Sequence, residues 1–389
     1  MSLKIALLTY STKPRGSVVH TLELAQALAD LGHDPCVFAL DKSGEGFHRS
    51  VEFKTFAVPA KACDGNTDQL IRQRIQEFVS FFQQHLSERE GYDIYHAQDC
   101  LSANALATLK AQGKLSQFVR TVHHIEAFKS PYLRECQEKS IYLSDRCLCV
   151  SALWQQVLQK DYGIVAHRVI NGVSSRFSAI PKNADAAIAE AYAIHLKSDK
   201  KARFGPVYLT VGGIEPRKNS INLLKAFAKV HRQQPNAQLV IVGGATLFDY
   251  QPYRDDFWAL AKAENLENAL ILPGVVPDQH LPSLYRLADA FVFPSIQEGW
   301  GLVVLEALAS GVPVIASSQA PFTEFLSPAS AHLVNPQSAE AIAAAMLAII
   351  RPDVAQGLLS HREEIISRYR WEASAKMHLA LYEQLVARV

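Results

Sequence analysis

The apolar and polar positions of the chain follow a repeating order of short apolar runs and longer periodic segments. Residues 4–9, 36–40, 206–211 and 237–242 are short apolar runs bounded by polar or glycine-containing loops. In several of the segments between such runs, apolar residues recur every three or four positions, which is the spacing of a helix with one buried face. The pattern predicts parallel strands joined by helices, and therefore an α/β fold.

The order of strand, glycine-containing loop and helix begins twice along the chain. It begins at residues 4–9, which precede a loop with Gly16, and again at residues 206–211, which precede a glycine pair at 212–213. Ser220 is predicted to cap the helix that follows this second loop. A chain of 389 residues suits two domains of about 190 residues each. We therefore expect two Rossmann-like domains.

The composition excludes several classes of function. The formal net charge is +1, so the chain has no electrostatic footprint for nucleic acid. The first glycine loop lacks the Gly-x-Gly-x-x-Gly fingerprint, so a bound dinucleotide is not expected. The six cysteines include no Cys-x-x-Cys pair, and a disulfide framework is not expected in a chain of this length.

The apolar segments of the sequence are too short for a signal peptide or a membrane span. The N-terminal run is shorter than the core of a signal peptide, and no cleavage site follows it. The longest apolar stretch, residues 339–350, is too short to cross a bilayer and contains Glu340. We therefore expect a cytoplasmic protein with reduced cysteines, and we do not expect membrane association.

Residues 288–318 form the stretch with the most chemical content. An apolar run at residues 290–293 precedes a polar turn with Gly299 and Gly301, and apolar residues at helical spacing then continue up to Gly311. This order predicts a buried strand, a loop and a helix closed by a C-terminal glycine. The loop then lies at the carboxyl edge of a parallel sheet, where open α/β sheets bind their ligands.

Two glutamates lie at the start of this predicted helix. Glu298 precedes the helix, and Glu306 lies inside it, about 7 Å along the axis. The free amides and positive dipole end of the helix start suit a phosphate group. One carboxylate can face the reacting end of a long ligand while the other accepts hydrogen bonds from diol hydroxyls. The alternative is that both glutamates belong to a solvated helix face.

Cationic and imidazole side chains form two further groups of candidates. Arg217 and Lys218 follow the second glycine loop and precede a predicted helix. Two cations in this position can neutralise a diphosphate without a metal ion, although a solvated loop pair is the alternative. His123 lies where an apolar strand runs into a loop, on the binding edge of the predicted sheet. His124 is equally available by its chemistry.

The motif Pro-Ser-x-x-Glu-Gly-x-Gly-Leu-x-x-x-Glu-Ala at residues 294–307 resembles the signature of the retaining glycosyltransferases of family 4, or glycosyl transferases group 1. The resemblance implies the GT-B fold, in which two Rossmann-like domains face a central cleft. It implies an acceptor domain formed by residues 1–175 and 371–389, to which the final helix returns. It also implies a nucleotide-sugar donor domain formed by residues 176–370.

The resemblance also assigns roles to residues of this sequence. The residues with implied catalytic roles are Glu298, His123, Lys218 and Arg217. The residues with implied donor-binding roles are Gly16, Gly213, Val276, Gly299, Trp300, Gly301, Leu302, Val303 and Glu306. The sequence departs from the family pattern in four places. Gly213 stands where an arginine is usual, Ser17 where a second glycine is usual, and Ser174 where an aspartate is usual. Residues 320–324 replace the frequent Gly-Gly-x-Pro-Glu. Arg217 is the candidate to replace the missing charge at Gly213.

The activity implied by the resemblance is metal-independent transfer of a sugar with retained anomeric configuration. A nucleotide-diphosphate sugar is the expected co-substrate, no other cofactor and no metal site are expected, and the acceptor is a saccharide, a small molecule or a lipid-linked group. The absence of an Asp-x-Asp motif agrees with metal independence. A GT-B-like nucleotide-sugar epimerase or hydrolase, a phosphorylase and a non-catalytic nucleotide-sugar binding protein remain alternatives.

Overall fold

The chain forms two compact units in the computed structural model, which describes residues 2–47, 49–195, 205–244 and 250–387. The first unit comprises Met1–Gly172 with Tyr369–Val389, and the second comprises Val173–Arg368. Each unit contains one parallel sheet with its helices, so the predicted α/β fold with two Rossmann-like domains is confirmed. The assignment of one unit to the acceptor and the other to the donor stays a prediction.

Strands and helices alternate along the first unit. The strands are β1 (Lys4–Thr9), β2 (Asp34–Asp41), β3 (Lys54–Pro59), β4 (Ile94–Ala97), β5 (Val119–Val122), β6 (Arg146–Cys149) and β7 (His167–Arg168). The helices before residue 172 are α1 (Gly16–Asp30), α2 (Thr67–Glu88), α3 (Cys100–Ala111), α4 (Pro131–Tyr142) and α5 (Ala152–Tyr162). Within residues 2–47 and 49–172, seven parallel strands lie in the order β3-β2-β1-β4-β5-β6-β7.

The central strands of this sheet are buried on both faces. In β1, the side chains of residues 5–8 are fully buried, because helices cover a parallel sheet on both sides and its strands are continuous apolar runs. The direction of the strand order reverses between β1 and β4. The loops after these two strands therefore lie at the switch point of the sheet, which is the usual ligand position in open α/β folds.

The second unit begins with α6 (Ala184–Ala191) and then alternates strands and helices. The strands are β8 (Val207–Val211), β9 (Gln238–Val242), β10 (Leu270–Gly274), β11 (Ala290–Phe293), β12 (Val314–Ser317) and β13 (His332–Val334). The other helices are α7 (Ser220–Gln233), α8 (Gln251–Ala263), α9 (Leu281–Leu287), α10 (Leu302–Ala309), α11 (Ala339–Ile349), α12 (Pro352–Leu359) and α13 (Arg362–Arg368). Within residues 205–244 and 250–368, six parallel strands lie in the order β10-β9-β8-β11-β12-β13.

The second sheet repeats the strand order of the first. β8 takes the place of β1 and β11 takes the place of β4, so the switch point lies between β8 and β11. These strands pair through Tyr208 with Ala290 and through Leu209 with Phe291. The loops that follow β8 and β11 therefore start side by side at one edge of the sheet.

The last helix, α14 (Trp371–Val386), belongs to the first unit, where it packs against α1. The chain leaves this unit after Gly172 and returns to it at Tyr369. The segment that leaves the unit and the segment that returns to it are in contact, because a Cβ on Gly172 would lie 2.2 Å from the amide nitrogen of Trp371. Only glycine fits at position 172, since no side chain tolerates a backbone contact of this length.

The start of α7 differs from the sequence prediction. Ser220 is the first residue of the helix, and Asn219 precedes it in a left-handed conformation with φ at 61° and no side-chain cap. The hydroxyl of Ser220 accepts a hydrogen bond from the amide of Glu215 at 3.3 Å and donates to the carbonyl of Gly213 at 3.2 Å. The predicted cap is therefore wrong, and this hydroxyl instead closes the loop after β8.

Other differences from the sequence prediction concern whole helices. The pattern does not predict α3 or α4; most of α3 is buried, which removes the contrast between an apolar and a polar face. The surface helix expected within residues 178–201 is the shorter α6, and residues 196–201 lie outside the described part of the chain. In the described ranges no single helix is long and apolar enough to cross a membrane, although α11 and the bent continuation Pro352–Arg368 together reach that length and composition.

Candidate active site

The loops after β8 and β11 are joined by hydrogen bonds at the switch point of the second sheet. The backbone amide of Ile296 and the hydroxyl of Ser295 both donate to the carbonyl of Arg217, at 2.9 and 2.7 Å. The side-chain amide of Asn219 donates to the carbonyl of Pro294 at 3.0 Å. The two loops that contain most of the predicted catalytic residues are therefore held against each other.

Three predicted catalytic residues meet at one carboxylate oxygen. Lys218 Nζ lies 2.6 Å from Glu298 Oε1, and Arg217 Nη1 lies 3.3 Å from the same oxygen. Ser295 Oγ also lies near this oxygen, at 2.8 Å. The side chains of Glu298 and Lys218 are 9% and 12% exposed, whereas that of Arg217 is 35% exposed. Arg217 is therefore the cation that solvent or a ligand reaches most easily.

The charges of this cluster determine the protonation of Glu298. Burial by itself raises the pKa of a carboxyl group, but Lys218 and Arg217 outweigh burial and hold the pKa of Glu298 below its ordinary value. Burial, with a contribution from Arg217, lowers the pKa of Lys218, and Glu298 opposes this change. Glu298 is consequently an ionised carboxylate at neutral pH and accepts hydrogen bonds only.

A second buried carboxylate, which sequence reasoning missed, holds the other side of Arg217. Glu215 Oε2 lies 3.1 Å from Arg217 Nε, and the side chain of Glu215 is 3% exposed. The guanidinium thus bridges two carboxylates through different nitrogens, a geometry that suits arginine and not lysine. The only available signal in the sequence was the position of Glu215 within the glycine loop after β8.

Glu306 is buried inside the second unit. It lies on α10 with 6% exposure, and the hydroxyl of Tyr285 donates a hydrogen bond to its Oε2 at 2.8 Å. Since the side chains of Glu298 and Glu306 are both buried, the alternative that they form a solvated helix face is wrong. Tyr285 was not recognised as a site residue from the sequence.

Gly301 forms the N-terminal boundary of α10 in a conformation that favours glycine. Its φ is 105°, and a Cβ at this position would lie 2.7 Å from Cε1 of Phe322. Gly299, two residues earlier, is half-buried, and Leu302 and Val303 are half-buried at the first turn of the helix. The amide of Val304 donates to the carbonyl of Gly301 at 3.0 Å. The amides of Leu302 and Val303 precede the first i to i−4 hydrogen bond of the helix and can bind an anion.

Trp300 has a packing role in the second unit. Its side chain is 4% exposed and stacks on Phe325, with ring centroids 4.7 Å apart and planes inclined by 28°. The indole ring is therefore used to pack the loop before α10. Donor binding by Trp300, which stays a prediction, would use its backbone.

Two other predicted donor-binding residues lie in neighbouring loops of the second unit. Gly213 is buried, and its carbonyl accepts the hydrogen bond from Ser220. Val276 follows β10 and is 9% exposed, whereas the preceding Val275 is 65% exposed. These loops follow β8 and β10, which flank β9 on the two sides. Their carboxyl ends place both residues on the same edge of the sheet as Glu298.

The predicted residues of the first unit lie at the carboxyl edge of the first sheet. His123 directly follows β5, and its Nε2 lies 3.0 Å from Oε1 of Gln98, which follows β4. Its ring contacts the ring of His20 edge to face, with centroids 4.7 Å apart. Burial and then His20 hold the pKa of His123 well below its ordinary value. The neutral imidazole donates from Nε2 to Gln98, and Nδ1 is then the acceptor.

Gly16 and His124 complete the predicted set in the first unit. Gly16 is exposed at the first residue of α1, and a Cβ there would meet no atom within 4 Å. The fold itself therefore does not require glycine at this position. His124 is exposed and pairs with Glu126 at 3.0 Å, whereas His123 points into the histidine and glutamine contacts described above. The two imidazoles thus have different partners, and the assignment of His123 as the site residue stays a prediction.

Comparison with known proteins is consistent with this geometry. Residues 194–368 match the family model described as glycosyl transferases group 1, and residues 14–175 match the model described as glycosyltransferase family 4. The two Rossmann-like sheets, together with these two matches, identify a glycosyltransferase of the GT-B class. The chain belongs to family 4, the glycosyl transferases group 1.

Individual relatives extend over nearly the whole chain. The phosphatidyl-myo-inositol mannosyltransferase of Mycolicibacterium smegmatis is 27% identical over 387 residues, which is 95% of this chain and 90% of that protein. The structure of sucrose-phosphate synthase from Thermosynechococcus elongatus matches with a TM-score of 0.81 and 23% identity over 100% of both chains. Anabaena HepE in complex with UDP-glucose matches with a TM-score of 0.77 and 19% identity, over 98% of this chain and 100% of that one. The two structural matches confirm the GT-B fold.

Proposed function

We propose that this glycosyltransferase moves a sugar from a nucleotide-diphosphate sugar to an acceptor hydroxyl, with retention at the anomeric carbon and without a metal ion. The observation that carries the proposal is the contact of Lys218 and Arg217 with Glu298 at the switch point of the second sheet. It supplies two cations and one ionised carboxylate beside the start of α10. The UDP-glucose complex of HepE, which has the same fold, supports a nucleotide sugar as the donor.

The departing diphosphate is the group that this cluster stabilises. As the bond from the anomeric carbon to the phosphate oxygen breaks, negative charge grows on the diphosphate. Arg217, the most exposed of the charged groups, and Lys218 offset this charge together with the amides at the start of α10. Such preorganised charges contribute on the order of 100-fold or more to a reaction rate.

The carboxylates act on the sugar side of the donor. Glu298 orients the sugar and stabilises positive charge near the anomeric carbon, while Glu306 accepts hydrogen bonds from the ribose hydroxyls. A phosphate oxygen of the leaving group takes the proton of the acceptor hydroxyl, and the new bond to the acceptor oxygen forms on the face from which the diphosphate departs. This scheme requires no protein nucleophile. His123 binds a donor-sugar hydroxyl through its imidazole, Gly16 leaves space beside α1 for phosphate or acceptor, and the backbone at Val276 meets the nucleobase.

A panel of donors tests the proposal. The melting temperature of the protein is measured with UDP-, GDP- and ADP-sugars, because a ligand that binds the folded form alone raises it. Nucleoside diphosphate release is then followed with and without saccharide, polyol and lipid-linked acceptors. A transferase releases diphosphate in an acceptor-dependent manner and forms a glycoside with the anomeric configuration of the donor.

Other outcomes identify the alternatives. Acceptor-independent release of nucleotide or a changed sugar indicates a hydrolase or an epimerase. A rise in melting temperature without turnover under any acceptor indicates a binding protein. If no nucleotide sugar changes the melting temperature or is consumed, the proposed function is wrong.

A further inference from the structure

Tyr285 is a buried tyrosine whose hydroxyl donates a hydrogen bond to the carboxylate of Glu306. It lies on α9, its side chain is fully buried, and its hydroxyl donates a hydrogen bond of 2.8 Å to Oε2 of Glu306 on α10. A buried phenol without a partner costs stability, so this hydroxyl has a strong preference for its acceptor. The contact links two helices that the sequence separates by a strand and a loop.

Aromatic neighbours fix the ring of Tyr285 on two sides. Phe177 contacts the ring edge to face, with centroids 5.6 Å apart, and Phe291 of β11 lies with its centroid 5.5 Å away. A ring held in this way presents its hydroxyl in one direction. Burial and then Glu306 hold the pKa of Tyr285 well above its ordinary value, so the phenol remains a hydrogen-bond donor.

The carboxylate of Glu306 is therefore restrained at both ends. The backbone of α10 holds its Cα, and the phenol of Tyr285 holds one of its oxygens. A carboxylate whose rotation is fixed presents its lone pairs in defined directions. Fixed acceptors of this kind suit a pair of vicinal hydroxyl groups, because the spacing and direction of such hydroxyls are themselves fixed.

We propose that Tyr285 is a positioning residue, which orients the carboxylate of Glu306 to accept hydrogen bonds from the 2′- and 3′-hydroxyls of the donor nucleotide. The inference rests on the proposed function, since it deepens the role of Glu306 in the same site. It makes Tyr285 a determinant of ribose recognition although its side chain is buried and its hydroxyl is directed to Glu306.

Ribose selectivity is the quantity that this arrangement controls. A site built to hydrogen-bond a hydroxyl discriminates strongly against an analogue that lacks it, because the buried acceptor is left without a partner. We expect Tyr285→Phe to weaken the binding of the ribonucleoside diphosphate about tenfold, the effect of one hydrogen bond to a charged group. Binding of the 2′,3′-dideoxynucleoside diphosphate, which makes no use of the orientation of Glu306, should stay within about twofold.

The experiment compares three proteins by calorimetric titration. These are the unmodified chain, Tyr285→Phe and the matched control Tyr208→Phe. Tyr208 is also fully buried in the second unit, and its hydroxyl donates to the carbonyl of Met346 at 2.9 Å, away from Glu306. Each protein is titrated with UDP, GDP and ADP, and with the 2′,3′-dideoxy form of whichever nucleotide binds. Melting temperatures show that each variant is folded.

The inference is decided by the dissociation constant of the dideoxynucleotide divided by that of the ribonucleotide. A ratio reduced about tenfold in Tyr285→Phe and unchanged in Tyr208→Phe supports it. An unchanged ratio in folded Tyr285→Phe, or equal weakening of both nucleotides, overturns the inference and leaves the proposed function intact. If the unmodified chain binds both forms equally, Glu306 does not read the ribose and the inference is also wrong. If it binds none of the three nucleotides, the proposed function fails and the inference falls with it.

A second variant covers the case in which Tyr285→Phe does not fold. Phe177→Leu removes one ring contact of Tyr285 but retains the hydroxyl and its acceptor. We expect a smaller fall in the ratio, about threefold, because the phenol is then less well fixed. A ratio equal to that of the unmodified chain overturns the inference.

Discussion

Lys218 Nζ lies 2.6 Å from Oε1 of Glu298, and the two side chains are 12% and 9% exposed. An ion pair shielded in this way is strongly coupled, because removal of one partner leaves the other charge buried. The ammonium group also lies 4.6 Å from the ring centroid of Phe293 at the end of β11. Lys218 therefore joins the loop after β8 to the end of β11 and to the loop that follows it.

Replacement of Lys218 by methionine should abolish most of the activity. The variant retains the aliphatic stem but loses the charge that opposes Glu298 and that, in the proposed function, stabilises the departing diphosphate. We expect kcat/KM to fall at least about 100-fold and the free energy of unfolding to fall by up to about 3 kcal/mol. Arg217 and Ser295 still contact Glu298, so the protein should fold. Donor turnover and chemical denaturation measure the two effects.

The matched control is Lys225→Met, since Lys225 is exposed on α7. It should change neither quantity. Undiminished turnover in folded Lys218→Met would remove Lys218 from the site.

The hydrogen bond between Gln98 and His123 sets the tautomer of the histidine, and its loss should impair turnover. Gln98→Leu removes the acceptor 3.0 Å from His123 Nε2 and keeps a side chain of similar size. We expect kcat/KM to fall about tenfold, because the imidazole then rotates or changes tautomer. Steady-state kinetics with the best donor measure the effect.

Gln83→Leu, a change at an exposed position of α2, is the control for loss of a glutamine. If Gln98→Leu retains the kinetics of the unmodified protein, the orientation of His123 has no part in the reaction.

Alanine at two predicted donor-binding glycines should separate a structural requirement from a functional one. Gly301→Ala places a Cβ 2.7 Å from Phe322 at a φ of 105°, and should destabilise the protein by about 1–3 kcal/mol. Gly16→Ala meets no atom within 4 Å, so its stability should be unchanged. If phosphate or acceptor lies beside Gly16, the KM for one substrate rises in this second variant.

Urea denaturation and steady-state kinetics on both alanine variants provide the measurements. Equal stability of Gly301→Ala and the unmodified protein would contradict the strained conformation. Unchanged KM values for both substrates in Gly16→Ala would remove Gly16 from the site.

The buried histidines of the first unit should make it sensitive to acid. Burial lowers the pKa of His20 to about 3 and that of His378 to about 4, from an ordinary value of 6.5. In the unfolded chain these two histidines bind protons below about pH 6.5. In the folded chain His378 binds a proton only below about pH 4, and His20 only below about pH 3. Stability is therefore fully present above about pH 6.5 and is lost as the pH falls, by about 1.4 kcal/mol per pH unit for each histidine.

His378→Asn tests this sign. Asparagine places an amide nitrogen near the position of Nδ1, which contacts the carbonyl of Ser374 at 2.8 Å, and it does not titrate. The loss of stability between about pH 6.5 and about pH 4.5 should be smaller than in the unmodified chain. His361→Asn, at an exposed residue, should leave the loss unchanged. A pH dependence identical in His378→Asn and the unmodified chain would show that the pKa of His378 does not differ between the folded and the unfolded chain.

The strands and loops that form the two switch points were predictable from the sequence. Buried parallel strands are apolar runs, and the glycine loops after β1, β8 and β11 mark where those strands end. The helix after Gly301 and its C-terminal Gly311, with φ at 75°, agree with the predicted order. Local chemistry decides such features, so local patterns reveal them.

The partners of the site residues could not be predicted in the same way. Glu215 behind Arg217, Tyr285 behind Glu306 and Gln98 behind His123 are each identified only by a side-chain contact. Gln98 and His123 are 25 positions apart, and Tyr285 and Glu306 are 21 apart. No periodic pattern relates residues at these separations, because the packing of whole strands and helices brings them together. Ser220 shows the converse, since a residue suited to a cap lies inside the helix and its hydroxyl accepts from the amide of Glu215 in its own loop.

The contact between Gly172 and the backbone of Trp371 indicates how the two units of the chain could be separated. The first unit is interrupted by the second, yet the chain ends that the interruption creates lie side by side. A short peptide from residue 172 to residue 369 can therefore span the gap without stretching the fold. We therefore expect that the first unit, closed by such a peptide, can be expressed as one continuous chain, and that the segment between these residues can be exchanged as a cassette.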